Sequence, residues 1–191
     1  MSSIFRAHLD KFIDINDDEF KEIAKYFSII KVKKKENILL PRQVCKRSYF
    51  VLNGCLRKFF ITDKGTEQTT EFAIENWWMT DLISFEHRKS TDFCIQAVEP
   101  SEILVIDNDS YDKLLEQAPK MERYFRFIYQ RAFAAYQMRI KYLYGHSSEE
   151  LYYHFNSWFP EFVQRIPQYL IASYLGFTPE YLSEIRAKYR S

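Results

Sequence analysis

The polar side chains near the C-terminus of this chain recur at a spacing suited to reading DNA bases. Projected on a helix of about 3.6 residues per turn, Glu180, Ser183, Glu184 and Ala187 share one face, and Leu182, Ile185 and Tyr189 share the opposite one. A carboxylate accepts a hydrogen bond from the cytosine amino group, which makes Glu180 and Glu184 candidate base readers beside Ser183. Arg186, Lys188 and Arg190 supply charge for phosphates, with Tyr181 next to Lys188 and Thr178 at the start of the helix. Carboxylates in a groove also repel phosphate, so the same residues fit a module that has lost DNA contact. Other chemistries lack their residues. His8, His87, His146 and His154 show no HxH or HExxH spacing, and there is no glycine-rich phosphate loop or GxSxG elbow. Cys45, Cys55 and Cys94 are odd in number with no CxxC pair, so neither a disulfide framework nor a zinc or iron–sulfur site is expected. No catalytic constellation, cofactor or metal is expected, and an enzyme is not the reading.

A helix-turn-helix would position these residues. In Gln168 to Ala187, Ala172 is small where two helices approach, Gly176 suits a turn with positive φ, and Leu182 and Ile185 anchor the second helix. Thr178-Pro179-Glu180 offers a hydroxyl cap, a proline at the first helical position and an acid in the first turn. An ordinary helical hairpin fits the same pattern, and the upstream order decides between them.

Upstream, Asn16 to Phe27 carries a helical pattern with Phe20, Ile23, Ala24 and Phe27 on one face. Short β-branched or aromatic runs follow at 29–33, 49–52, 55–61, 69–73, 93–98 and 102–106, with turns at Asn53-Gly54 and Asp63 to Gly65. Such a series predicts an antiparallel β-roll of the jelly-roll kind. The basic run Lys31 to Lys35 fits a solvated edge strand. A long helix is expected from Pro119 to Tyr144. Met121, Phe125, Ile128, Ala132, Ala135 and Tyr142 form one stripe, broken at Arg139, and Tyr129, Phe133, Tyr136, Ile140 and Leu143 a second. Two stripes need two partners, and the first is assigned to a homodimer seam of Phe125, Ile128, Ala132, Ala135 and Tyr142; burial of the whole helix within one protomer is the alternative. Gly145 ends the helix and Ser147 to Glu150 is a capping box. The class is therefore α+β, with an N-terminal roll over 1–117, a dimerisation helix over 118–145 and a helix-turn-helix domain over 146–191.

At 191 residues and a formal net charge of +1, the chain suits one large or two small units, and charge alone argues neither for nor against nucleic acid. The 18% aromatic content points to cores and interfaces filled with rings. No 18-residue apolar run exists, and Arg6, His8 and Asp10 interrupt any signal-peptide core, so a cytoplasmic protein without membrane contact is expected.

The order of roll, long helix and terminal helix-turn-helix resembles the Crp/Fnr superfamily of bacterial transcription regulators. The resemblance covers nearly the whole chain and is carried by Pro167 to Arg186, by Tyr49-Phe-Val-Leu-Asn-Gly54 and by Gly65 at the next hairpin. It implies a dimer on double-stranded DNA, with RNA polymerase and an unknown small-molecule effector as further partners. Cyclic-nucleotide members hold the phosphate with a Gly-Glu-Leu segment and an Arg-Ser/Thr-Ala segment about ten residues on. The matching stretches here are Thr80-Asp81-Leu82 and Thr91-Asp92-Phe93. The phosphate-pairing arginine is missing and Asp92 stands beside its place, so cyclic AMP is not the expected effector. A degenerate pocket of Trp78, Thr80, Asp81, Leu82, Arg88, Thr91 and Asp92 is expected, plugged by Trp77, Trp78, Met79 and Phe85, with Arg88 a solvated charge. The chain stops at Ser191, where relatives commonly add a β-hairpin wing, and Glu184 stands near a position where many carry arginine.

Overall fold

The computed structural model describes residues 2–190; the side chains of Tyr189 and Arg190 lie outside the described residues. The chain begins with α1 (Ser3–Leu9) and α2 (Asp17–Ala24). Asn16 caps α2 by accepting from the amides of Asp18 and Glu19, and Glu19 returns to the Asn16 amide. The strands are β1 (Ser28–Val32), β2 (Asn37–Leu39), β3 (Arg47–Asn53), β4 (Leu56–Ile61), β5 (Glu67–Ala73), β6 (Trp78–Met79), β7 (Phe93–Ala97) and β8 (Ser101–Asp107), with α3 (Leu82–His87) between β6 and β7. They form two antiparallel sheets in the orders β1-β8-β3-β6 and β2-β7-β4-β5. The basic run Lys31 to Lys35 begins on β1, an edge strand of its sheet.

Strand alternation divides the apolar runs between two cores. On β3, Tyr49 and Val51 enter the roll interior with Leu56, Met79, Ile95 and Ile103. Phe50 and Leu52 face the other way, onto Phe5, Leu9, Leu114, Met121 and Tyr124. The turn after β3 needs glycine: Gly54 has φ of 108°, and a Cβ there would fall 2.1 Å from the Ser101 Oγ.

After the roll come α4 (Asn108–Gln117), α5 (Lys120–Gly145), α6 (Ser148–Trp158), α7 (Pro160–Arg165), α8 (Gln168–Leu175) and α9 (Pro179–Arg190). The capping box is present at the start of α6, with Glu150 accepting from the Ser147 amide at 2.8 Å. A third core joins Tyr152, Val163, Ile166, Leu170 and Ile171 of the C-terminal helices to Cys55, Phe72 and Val98 of the roll. Packing thus crosses the division after residue 145. Among the described residues no helix is long and apolar enough to cross a membrane.

Candidate nucleic-acid interface and effector pocket

The turn between α8 and α9 is built by its sequence. Gly176 takes φ of 82°, and the Phe177 amide reaches back to the Ala172 carbonyl at 2.8 Å, closing a Schellman turn. Thr178 Oγ1 then accepts from the Tyr181 amide at 3.2 Å and caps α9. Ala172 is fully buried where the helices meet, and Leu182 and Ile185 are each 1% exposed. Glu180, Ser183, Glu184 and Ala187 lie exposed on the outer face, and Tyr181 is exposed beside them. The cations are less available. Arg186 is half-buried, and Lys188 donates to Glu149 of α6 at 2.8 Å; Arg190 is outside the described side chains. Residues 146–190 hold four cations against five carboxylates, a net charge of −1 with neutral histidines. Glu149 and Glu150 reverse the mildly positive balance of the later residues.

The expected effector pocket does not assemble as one site. Trp78 and Met79 are neighbours on β6, and adjacent strand residues point to opposite faces. Met79 enters the roll interior, whereas Trp78 packs on Phe5, Phe50 and Phe125 and donates to the Tyr124 hydroxyl at 2.8 Å. Trp77 is 49% exposed, and Phe85 packs edge-on against Tyr111. The plug is therefore Met79 with the roll's own side chains. Arg88 turns away to Asp109 at 3.0 Å and Asp112 at 3.3 Å on α4. Leu82 and Asp92 are exposed, so Asp92 is not the charge that closes the site. That charge is Asp81, which is 8% exposed, caps α3 and accepts a hydrogen bond from the buried Thr91 hydroxyl. The two segments expected to hold a phosphate are thus bonded to each other. Beside them, Lys58 donates to the Thr80 carbonyl at 3.0 Å and pairs with Glu71 at 2.6 Å. Tyr136 of α5 donates to the same Glu71 carboxylate at 2.5 Å.

At Phe125, Ile128 and Tyr142 the long helix also departs from the expected seam. Phe125 is 3% exposed inside the protomer's own core, and Ile128 packs against that core. Tyr142 lies 4.8 Å from the ring of Trp158 on α6. Ala132 and Ala135 are exposed. The reason is register: the first half of both stripes, through Phe125, Ile128 and Tyr129, faces α4 and the roll, so only the later part of the second stripe is left facing outward. Phe133 is 64% and Ile140 56% exposed, in line with Tyr136 and Leu143.

The family comparison fits this architecture. Residues 29–118 match the cyclic nucleotide-binding domain family. Among solved structures, the chain is similar to FixK2 from Bradyrhizobium japonicum, at 16% identity over 85% of this chain and 83% of that one, with a TM-score of 0.70. It is also similar to the c-di-GMP responsive global regulator CLP of Xanthomonas campestris, at 13% identity over 92% of both chains, with a TM-score of 0.71. The Thermus thermophilus catabolite activator protein matches at 17% identity over 91% of this chain and 83% of that one, with a TM-score of 0.57. The chain has the Crp/Fnr fold. None of the curated proteins gives a significant sequence match. Within the cyclic nucleotide-binding domain, the matched span includes both segments joined by the Asp81–Thr91 bond. Among the described residues no cluster of three or more histidine, cysteine or carboxylate side chains is placed to hold a metal ion.

Proposed function

We propose that this chain is a dimeric transcription regulator, not an enzyme, that reads near-palindromic double-stranded DNA with α9. The observation that carries this reading is the α8–turn–α9 unit, whose apolar side is fully buried while Glu180, Ser183 and Glu184 stand exposed on one face. In the dimer, Phe133, Ile140 and Leu143 of α5 form the seam, replacing the stripe that begins at Phe125. The two-fold axis sets half-sites about 34 Å apart, one turn of DNA. The same reading gives a cytoplasmic protein with RNA polymerase as its partner at promoters and a regulation that does not use cyclic AMP.

Selection from a random duplex library at low salt tests this reading. A pseudo-palindromic motif is expected, and Glu180→Ala should relax preference at one position of each half-site by about 1–3 kcal/mol. Absence of any motif for the natural chain, with recovery in Glu184→Arg, would instead assign the fold to a protein-interaction or effector module. The exposed carboxylates of α9 and the net charge of −1 over residues 146–190 favour that second reading.

A further inference from the structure

Arg139 interrupts the first apolar stripe of α5, and its contacts explain why. Its Nη1 donates to the Thr70 carbonyl on β5 and its Nη2 to the Tyr174 carbonyl on α8, both at 2.8 Å. The guanidinium also lies 4.2 Å from the centroid of the Tyr174 ring. One planar side chain therefore ties the long helix, the edge of the roll and the first helix of the helix-turn-helix together. The neighbouring contacts run in the same direction. The Thr69 amide donates to Ser173 Oγ at 2.8 Å, Ser173 Oγ donates to the Glu67 carbonyl at 2.7 Å, and the Gln68 side chain donates to the Ser173 carbonyl.

A second anchor lies at the other end of this contact. Arg165 of α7 donates to both oxygens of Glu75, at 2.7 and 2.8 Å, and its Nε donates to Glu99 at 2.8 Å. Glu75 in turn accepts from the Gly54 amide at 2.8 Å. Arg165 and then the Gly54 amide hold the Glu75 carboxyl at about 2, so this anchor stays charged at neutral pH. Docking leaves the reading face uncovered, since Glu180, Ser183, Glu184 and Ala187 all remain exposed.

We infer that Arg139 is a positioning residue that fixes the direction of α9 relative to α5. This rests on the proposed DNA-reading role of α9 and on α5 as the dimer helix. Because α5 would carry the two-fold axis, clamping α8 to it sets the separation of the two reading helices. Lysine is no substitute here. Its single ammonium on a flexible stem does not span two carbonyls and stack on a ring, which the rigid guanidinium fork does.

Two measurements on the full-length chain test the inference, using Arg139→Met and Arg139→Lys. Hydrogen exchange at the Thr69 amide should quicken by about tenfold or more in both variants, the loss expected for charge-assisted hydrogen bonds. Exchange at the Leu182 amide, which lies within α9, should stay unchanged. Affinity for the selected DNA site should fall by the factor by which the clamped fraction falls. Unchanged exchange at Thr69 overturns the inference whether or not the protein binds DNA. Protection at Thr69 lost almost entirely, with equal or tighter DNA binding, also overturns it, since the clamp would then not set the reading geometry. If Arg139→Met proves unstable, Arg165→Met opens the same contact from its exposed side and must show the same pair of changes. A natural chain that binds no duplex at all rejects the DNA reading and the positioning role with it, while the exchange result still reports whether Arg139 holds the clamp.

Discussion

Three side chains in the core form a directed relay. Trp78 Nε1 donates to the Tyr124 oxygen at 2.8 Å, and that oxygen lies 2.9 Å from His8 Nδ1, which accepts the Tyr124 proton in the tautomer that leaves Nδ1 bare. His8 must be neutral to accept. Burial, with Lys11 and Arg131 nearby, holds its pKa down at about 4 against an ordinary 6.5. The unfolded chain therefore binds a proton between pH 6.5 and 4 that the folded chain does not, so stability falls as pH drops through this window. The contribution is roughly 2–3 kcal/mol, complete near pH 4. Denaturant midpoints at pH 7.5 and 4.5 should differ for the natural chain, and much of that difference should vanish in His8→Phe. An equal pH dependence in both would reject the assignment. A second residue-scale expectation concerns Asp81. With its carboxylate bonded to Thr91 across the two segments expected to hold a phosphate, cyclic AMP and cyclic GMP should give no saturable heat in calorimetry; a low-micromolar dissociation constant would show that the bond opens readily.

The long helix α5 carries the prediction at the scale of elements. Ile140 and Phe133 are more than half exposed in the protomer, so a charge there should cost the protomer little yet face its own copy across a desolvated seam. Ile140→Glu should give monomers by light scattering at micromolar concentration with a nearly unchanged thermal midpoint, and a monomeric natural chain would sink the proposed seam. The same helix shows what the sequence discloses. Its extent, the Ser147 box, the Gly176 turn and the six longer strands were legible because each depends on local propensity or spacing. The short elements α1, α3, α7, β2 and β6 were not, since so few residues carry little periodicity. Which stripe of α5 turns outward was also hidden, because it depends on where α4 and the roll press against the helix. The pocket failed for a related reason: Thr80-Asp81 and Thr91 were visible as segments, but a bond between them is tertiary. Arg139 was visible only as a break in a pattern.

For the whole molecule, charge sets the expected style of DNA recognition. The C-terminal unit carries a net −1, and the sequence of α9 supplies three cations, Arg186, Lys188 and Arg190. Six such contacts in a dimer would give a plot of log affinity against log salt no steeper than about −5.4, at about −0.9 per phosphate. Fluorescence anisotropy across a salt series checks this, and Lys188→Ala should flatten the slope by about 2 because a dimer loses two partners. A slope that stays the same in Lys188→Ala would mean that Glu149 keeps this lysine from DNA. The contact between α8 and β5 has a consequence for dissecting the chain. Among the described residues β5 pairs only with β4, so its other edge is open except where Ser173 and Arg139 meet its backbone. Cutting after Gly145 would unpair much of that edge and bare Phe72, Cys55 and Val98 together. A naked strand beside an apolar patch is a template for adding further strands, so the isolated roll should self-associate into β-rich aggregates where the full chain does not.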